Sequence, residues 1–292
     1  MDGFLNINKP KGISSYDVIR NLKPMLNKAK IGHTGTLDPI ANGVLIVAIG
    51  NATRLIEYID GTKTYQVELE LGKVSDTYDS TGTVTDQELK VNVKDEAIMT
   101  AINKFIGDIE QIPPQFSAIK VKGEKAYEIA RRGEKVELKS RTVQTYKIDL
   151  VSIKLPKISL TIECSKGTYI RSLVHDLGQN LKTGAIMTDL TRISDCGFSI
   201  EDSIKLDELT NIEKALIPAI EVFKDYSARV PIELHQRITT GAIIDFDDKQ
   251  IPKLLNFNAS GEYFFATDEK NNIISVNKKV GNNKFHPEKV LL

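Results

Sequence analysis

The sequence contains no tryptophan and only two cysteines, and these shortages exclude several classes of protein. Cys164 and Cys196 form no C-x-x-C pair, so neither a disulfide framework nor a zinc site is indicated. The four histidines are scattered without metal-ligand spacing. The longest apolar run, residues 44–49, is far shorter than the roughly 20 residues that cross a bilayer. The N-terminus has no basic stretch followed by an apolar one, so we expect no secretory signal and a cytoplasmic protein without a membrane partner.

The common motifs of nucleotide-dependent and hydrolytic enzymes are also missing. The sequence has no G-x-x-x-x-G-K-[ST], no strand-linked G-x-G-x-x-G, no H-E-x-x-H and no G-x-S-x-G. Nothing local supports a Ser-His-Asp triad. If the protein is an enzyme, these absences favour chemistry carried by carboxylates.

Charge is balanced over the whole chain but unevenly placed along it. The 292 residues include 39 basic and 39 acidic side chains. Residues 60–119 carry 5 basic against 11 acidic residues, a net charge of −6, whereas residues 120–147 carry 9 against 4, a net charge of +5. A basic segment of this kind is typical of either an ordinary solvated face or a nucleic-acid contact.

The hydrophobic pattern mixes strands and helices without a strict βαβ rhythm, which favours an α+β fold. Residues 64–71 alternate as a half-buried strand, and 44–49 form a continuous apolar strand after a glycine-rich loop at 31–43. Residues 168–181 show helical spacing. Beyond about residue 226, short strand candidates at 262–267 and 273–276 predict a small β-rich module. We therefore predict a first domain at 1–225 and a second at 226–292.

The densest cluster of unusual residues surrounds Asp38. Glycines at 32, 35 and 43 permit positive φ or a close backbone approach, and Pro39 fixes its own φ and holds Asp38 extended. A carboxylate on a rigid loop beside a buried strand is a suitable catalytic group. Asp-Pro is also a common structural turn dipeptide, so the spacing alone leaves both interpretations open.

Longer strings of residues decide between these interpretations. Seven blocks follow one another in order along residues 8–198 and resemble the TruB family of tRNA pseudouridine synthases. The blocks are NKPKGISS (8–15), GHTGTLDPIANGVL (32–45), KTY with LG (63–65 and 71–72), PPQFSAIK (113–120), YEIAR with Gly133 (127–131), CSKGTYIRSL (164–173), and GA with LTR (184–185 and 190–192).

The resemblance implies the pseudouridine-synthase fold, with a mixed, mainly antiparallel central sheet flanked by helices. It also implies a PUA-like RNA-binding module at 226–292. The implied activity is isomerisation of the uridine at position fifty-five, in the loop of the tRNA T-arm, to pseudouridine. The reaction involves no redox change, and the family works without a metal, so no cofactor is expected. We expect tRNA as the partner and a monomeric protein.

The resemblance also assigns roles to five residues. Asp38 maps to the nucleophile, and Arg171 to the arginine that pairs with it. Tyr65 maps to the tyrosine that stacks on the target base, and its phenol is a candidate for assisting proton removal at C5. Leu190 covers the other face of the base, and His33 supports the extruded RNA backbone. Without the resemblance, Arg171 reads as a solvated helix residue, Tyr65 and Leu190 as core residues, and His33 as a partner in a local turn.

The target uridine must leave its stack, and basic side chains are expected to hold the opened RNA. The candidates are Lys9, Lys11, Lys120, Lys122, Arg131 and Arg132. The last block departs from the family, because Asp189-Leu190-Thr191-Arg192 has one arginine fewer and an added acid. One phosphate contact is therefore in question.

Two other functions stay open on the sequence. The first is a non-catalytic RNA-binding or RNA-chaperone protein with a degenerate pocket. The second is a glycoside hydrolase, which needs a second carboxyl at about 5 Å from Asp38 if it retains configuration. Asp17 and Glu57 are the nearest acids in sequence.

Overall fold

A long mixed sheet runs through the structure, a computed structural model that describes residues 2–87, 91–245, 262–281 and 284–291. The strands are β1 (Gly3–Lys9), β2 (Ile31–His33), β3 (Asn42–Ile49), β4 (Lys63–Leu71), β5 (Lys73–Ser75), β6 (Val84–Asp86), β7 (Gly107–Gln111), β8 (Lys120–Val121), β9 (Glu124–Lys125), β10 (Arg141–Lys154), β11 (Lys157–Cys164), β12 (Ala185–Asp195), β13 (Phe198–Ser199), β14 (Ile204–Lys205), β15 (Ile217–Pro218), β16 (Ser227–Arg229), β17 (Ile244–Asp245), β18 (Tyr263–Thr267), β19 (Ile273–Gly281) and β20 (Lys284–Val290). The helices are α1 (Ser15–Leu22), α2 (Asp95–Asn103), α3 (Ala126–Arg131), α4 (Ile170–Asn180), α5 (Ile212–Ala215), α6 (Ala219–Phe223) and α7 (His235–Thr239).

The central sheet has the spatial order β14-β1-β3-β12-β4-β11-β10-β7, with β2, β13 and β15 attached beside it. Along this order, the β1–β14 and β3–β12 pairs are parallel and the others are antiparallel. Helices α1, α2 and α4 bury their apolar residues against one face of the sheet. The α+β prediction, with a mixed and mainly antiparallel sheet flanked by helices, is confirmed.

Strand β4 shows why the alternating pattern was informative. Tyr65, Val67, Leu69 and Leu71 are buried in the core beneath the helices, whereas the residues between them are half-buried or exposed. A strand with one covered face selects apolar residues at every second position. The strand predicted at 64–71 is therefore confirmed, and so is the helix predicted at 168–181, which begins at Ile170.

Strand β3 is apolar without alternation because both of its faces are covered. Leu45 and Val47 face the core beneath the helices. Val44 and Ile46 face a second core, which also contains Phe265 of the C-terminal sheet. A strand that is covered on both faces reads as a continuous apolar run, as predicted for 44–49.

The C-terminal region forms a separate five-stranded sheet of order β16-β18-β19-β20-β17, whose first strand begins at Ser227. Besides the core that it shares with β3, this sheet has a small core of its own that contains Phe264, Ile274 and Phe285. The expectation of a β-rich C-terminal part is confirmed, whereas its PUA-like character stays a prediction. Residues 246–261 of the predicted 226–292 module lie outside the described residues.

One element contradicts the sequence analysis. The loop predicted at 31–43 is wrong for its first three residues, because Ile31–His33 form strand β2. Gly32 lies opposite Ala48, so the backbone partners of β2 come from β3. Glycine-rich composition hides such an edge strand, since its pairing depends on its neighbour and not on its own side chains. Within the ranges given above, no helix has the length and apolar character needed to cross a bilayer.

Candidate active site

The loop that carries Asp38 is fixed by the N-terminal segment. The buried hydroxyl of Ser15 accepts a hydrogen bond from Leu37 N at 2.8 Å and lies within donating distance of Leu37 O at 3.1 Å. Gly12 N donates to Pro39 O at 2.7 Å. Ser14, not Ser15, caps helix α1. The two serines thus have different tasks, and the peptides on both sides of Asp38 are held in place.

Arg171 meets the carboxylate of Asp38 with two guanidinium nitrogens. Its Nη2 donates to Asp38 Oδ1 at 2.9 Å, and its Nε lies 2.8 Å from Asp38 Oδ2. The carbonyl oxygens of Thr77 and Phe116 accept hydrogen bonds from the same guanidinium at 3.1 and 3.0 Å. The Arg171 side chain is 6% exposed and that of Asp38 is 30% exposed. An anchored guanidinium therefore orients a carboxylate that is still partly exposed.

A second carboxylate, Asp79, lies beside the same guanidinium, with its Oδ2 at 3.7 Å from Arg171 Nε. Its Oδ1 accepts hydrogen bonds from Thr81 N at 2.9 Å and from the hydroxyls of Thr77 and Thr81 at 2.7 and 2.5 Å. Three donors and a neighbouring cation thus hold this carboxylate in place. Sequence analysis missed Asp79, which lies in the turn-rich segment before β6. The available signal was a threonine two residues before and two residues after the aspartate, a pattern typical of a turn held by the carboxylate.

Asp79 supplies a carboxylate near Asp38, as the glycoside-hydrolase alternative requires. Its surroundings do not suit that function, because a general acid must hold a proton that it can donate. The Asp79 side chain is buried, and its Oδ1 only accepts hydrogen bonds. The geometry thus supports a positioning contact to Arg171 and not an acid–base pair with Asp38.

Tyr65 and Leu190 lie near each other on the covered face of the sheet. In the β12–β4 register, Leu190 is opposite Val67 and Arg192 is opposite Tyr65, so Tyr65 and Leu190 are diagonal neighbours. Both side chains belong to the apolar cluster that contains Leu37, the residue before Asp38. Burial raises the pKa of Tyr65 to about 12, so its phenol keeps its proton at neutral pH.

His33 lies on β2 opposite Val47 and is half-buried. Burial, together with the nearby cations Arg192 and Lys63, lowers the pKa of His33. Its imidazole is therefore neutral at pH 7. Within the described residues, its Nδ1 has no hydrogen-bond partner.

Beneath the loop lies a second ion cluster that sequence analysis did not find. Lys63 Nζ donates to Asp195 Oδ2 at 2.9 Å, and Arg192 Nε is 3.4 Å from the same oxygen. Arg192 also donates to Val44 O at 2.7 Å and to Gly35 O at 3.1 Å. These two carbonyls lie at the two ends of the Asp38 loop, so the hydrogen bonds of Arg192 connect both ends of the loop.

Close packing at this cluster explains one of the loop glycines. Gly43 has φ +105°, and a Cβ there would lie 2.2 Å from Arg192 O. Only glycine fits such a conformation and such an approach. Thr191, which stands where the family pattern often has an arginine, donates to Asn42 Oδ1 at 2.8 Å. The missing arginine is thus replaced by a contact that joins β12 to β3.

The six basic candidates for RNA contact fall into different environments. Lys9 is fully buried and donates to Pro10 O and Ile13 O, both at 2.8 Å, so its prediction as a phosphate contact is wrong. Burial lowers the pKa of Lys9 to about 8. Lys11 is paired with Asp189 at 2.6 Å.

In the basic segment, Arg132 is paired with Glu124 and Glu134. Lys120, Lys122 and Arg131 are exposed. These three side chains are therefore the best placed of the six to meet a polyanion.

Comparisons with known proteins relate this chain to one family. The TruB family pseudouridylate synthase (N terminal domain) matches residues 23–170. The chain is 47% identical over 229 residues to tRNA pseudouridine synthase B of Clostridium kluyveri, covering 77% of this chain and 79% of that protein. It is 42% identical over 237 residues to the protein of the same name from Thermosipho melanesiensis, covering 77% and 78%.

Solved structures show the same architecture. The crystal structure of a Cbf5-Nop10-Gar1 complex matches with a TM-score of 0.73 and 25% identity, covering 99% of this chain and 85% of that chain. The archaeal box H/ACA sRNP Nop10-Cbf5 complex has the same fold, with a TM-score of 0.70 and 24% identity. The fold and the relatives together identify a pseudouridine synthase, an isomerase. The chain belongs to the TruB family of these enzymes.

Proposed function

We propose that this pseudouridine synthase acts on tRNA and isomerises the uridine at position fifty-five of the T-arm loop, with Asp38 as the nucleophile. The observation that carries the proposal is the carboxylate of Asp38, which is anchored by Arg171 and still partly exposed. The tRNA substrate is supported by the name shared by several curated relatives, which are 38–47% identical to this chain.

The reaction exchanges one glycosidic bond for another. The N1–C1′ bond of uridine breaks, the uracil turns within the pocket, and C5 forms a new bond to C1′ and then loses its proton. Asp38 starts the reaction either by attack on C1′, as in retaining glycosidases, or by removal of the 2′ proton to give a glycal. Arg171 fixes the orientation of the carboxylate on both routes.

Tyr65 and Leu190 form the walls for the flipped base in this proposal. Taking the base out of its stack costs a few kcal/mol, and stacking on an aromatic ring offsets part of that cost. The raised pKa of Tyr65 favours a stacking role over a role as a base in the resting enzyme. His33, neutral at pH 7, is proposed to contact the opened RNA backbone as a neutral hydrogen-bonding group.

RNA beyond the target nucleotide is proposed to lie along the exposed basic side chains Lys120, Lys122 and Arg131. We further propose that residues 1–225 form the catalytic domain and that 226–292 form a PUA-like RNA-binding module. The separate cores of the two sheets support this division, although the two regions also share apolar contacts. The proposed enzyme is a cytoplasmic monomer.

The test is pseudouridine mapping on an unmodified tRNA transcript treated with the protein, combined with tritium release from [5-³H]uridine-labelled tRNA. We expect one new pseudouridine, at position fifty-five. A matched transcript with cytidine at that position should release no label. Modification at another site would overturn the position, and binding without release from any tRNA would favour a non-catalytic RNA-binding protein.

A further inference from the structure

Residues 76–79, which follow β5 and contact Arg171, include one residue with a strained backbone. Thr77 O accepts a hydrogen bond from Arg171, and Asp79 lies 3.7 Å from Arg171 Nε. Tyr78, between them, has φ +64°, in the left-handed region that a bulky side chain rarely adopts. Such a conformation persists only where the surroundings hold it.

Two kinds of contact hold Tyr78. Its ring is stacked on the imidazole of His175, with 3.9 Å between ring centroids and 11° between ring planes. Its carbonyl accepts from Met187 N at 3.0 Å, and Ser80 N donates to Met187 O at 2.9 Å. Tyr78 is thus pinned to β12 by its backbone and to α4 by its ring.

His175 lies one helical turn after Arg171, so the two side chains share a face of α4. The stack therefore joins the segment to the same helix that supplies the guanidinium. Burial lowers the pKa of His175 and raises that of Tyr78, so both rings are neutral at pH 7. The mechanism above uses neither ring.

We infer that the Tyr78–His175 stack is a positioning device for the reaction, which holds Thr77 O and the Asp79 carboxylate against Arg171 and thereby sets the orientation of Asp38. Both are positioning residues, because neither ring touches Asp38 or Arg171 in the contacts described above. The inference rests on the proposed role of Asp38 as the reacting group.

The first experiment measures single-turnover pseudouridine formation and tRNA affinity separately for His175→Ala and His175→Phe. Loss of the stack should lower the single-turnover rate at saturating enzyme about tenfold, while the Kd for tRNA changes less than about twofold. His175→Phe keeps an aromatic ring and should restore most of the rate. A rate unchanged by His175→Ala would overturn the inference.

Tyr78→Gly separates strain from stacking, because glycine adopts positive φ without penalty but has no ring. If the stack positions Arg171, this variant is slow although its backbone is relaxed. If Tyr78 only stores strain, the variant is more stable and as fast as the wild type, which contradicts the inference.

The matched control is Phe223→Leu, which disrupts another stacked pair, Phe223–Phe265, with centroids 4.2 Å apart. It should lower the melting temperature and leave the single-turnover rate unchanged. His175→Ala falling in the same class, with stability lost and rate kept, would show a purely structural role.

A readout without activity separates this inference from the proposed function. The Nε–H resonance of Arg171 in nitrogen-labelled protein should shift in His175→Ala and return in His175→Phe. If the wild type forms no pseudouridine but this resonance behaves as expected, the proposed function fails and the positioning holds. If the wild type is active and the resonance does not respond, the positioning fails alone.

Discussion

Two arginines of this chain are buried beside carboxylates, and they differ in what the carboxylate can reach. Arg171 pairs with Asp38, whose side chain is 30% exposed. Arg192 lies beside Asp195, whose side chain is fully buried. The same arginine–carboxylate pairing therefore leaves Asp38 accessible to a substrate and keeps Asp195 inside the protein.

The remaining contacts of each arginine agree with this division. Arg192 donates to backbone carbonyls at the two ends of the Asp38 loop, Gly35 O and Val44 O. Arg171 donates to carbonyls of Thr77 and Phe116, in segments that border the carboxylate itself. A buried ion pair is by itself weak evidence for stability, so the two clusters should be distinguished by what fails when each is broken.

Asp38→Asn is expected to have the largest effect. The amide has nearly the same volume but is neither charged nor nucleophilic, so single-turnover pseudouridine formation should fall at least about 10⁴-fold. The melting temperature and tRNA affinity should remain close to wild type. Asp108→Asn, a change at an exposed acid of β7, is the matched control and should be fully active. Turnover of Asp38→Asn within tenfold of wild type would remove Asp38 from the mechanism.

Arg192→Leu should have the next largest effect, on stability. Removing the cation leaves Asp195 with Lys63 as its cation and leaves two loop carbonyls without their donor. The free energy of unfolding should fall by about 3–5 kcal/mol, as measured by urea denaturation. Arg192→Lys, which keeps the charge, should lose less. A wild-type unfolding midpoint for Arg192→Leu would show that the cluster does not stabilise the loop.

Part of the fold and of the site could be predicted from the sequence. Alternation predicted β4, and helical spacing predicted α4, because each buries one face. The family blocks brought together Asp38 and Arg171, which are 133 positions apart, and the structure places them in contact. Resemblance was needed here, because no local pattern relates a loop carboxylate to a distant helix.

Other parts of the site could not be predicted. Asp79 reaches Arg171 from a segment without periodicity, so only the folded chain shows the contact. Lys9 reads as a surface cation, yet it is fully buried and donates to two carbonyls of its own segment. The pairing of β2 likewise comes from β3. Each case depends on tertiary neighbours and not on local sequence.

Arg171→Lys tests whether the pair between Arg171 and Asp38 depends on the shape of the guanidinium or only on its charge. Lysine keeps the charge but cannot face both carboxylate oxygens or reach the two carbonyls at once. The single-turnover rate should fall about 10²-fold, while the unfolding midpoint moves less than in Arg192→Leu. The two measurements together decide whether orientation or charge matters. Near-complete activity in Arg171→Lys would mean that charge alone is sufficient.

Replacing Asp176, on the same helix as Arg171, should have the smallest effect, and it should raise stability where the other changes lower stability or activity. Burial raises the pKa of Asp176 to about 6, and among the described residues no cation offsets that burial. In the unfolded chain the pKa is about 4, so between pH 4 and 6 the folded protein holds a proton that the unfolded chain has released. This carboxyl therefore lowers stability progressively as the pH rises through that window, and its full penalty remains at pH 7.

Asp176→Asn removes that penalty, because the amide has no charge to bury, and asparagine resembles aspartate in helix propensity. The variant should melt slightly above the wild type at pH 7, and the difference should vanish near pH 4, where the native carboxyl is protonated. Thermal unfolding of both proteins at several pH values measures this difference directly. A gap that is independent of pH would show that the change acts through packing. A wild type that is more stable at pH 7 would show that burial of the Asp176 carboxylate does not lower stability.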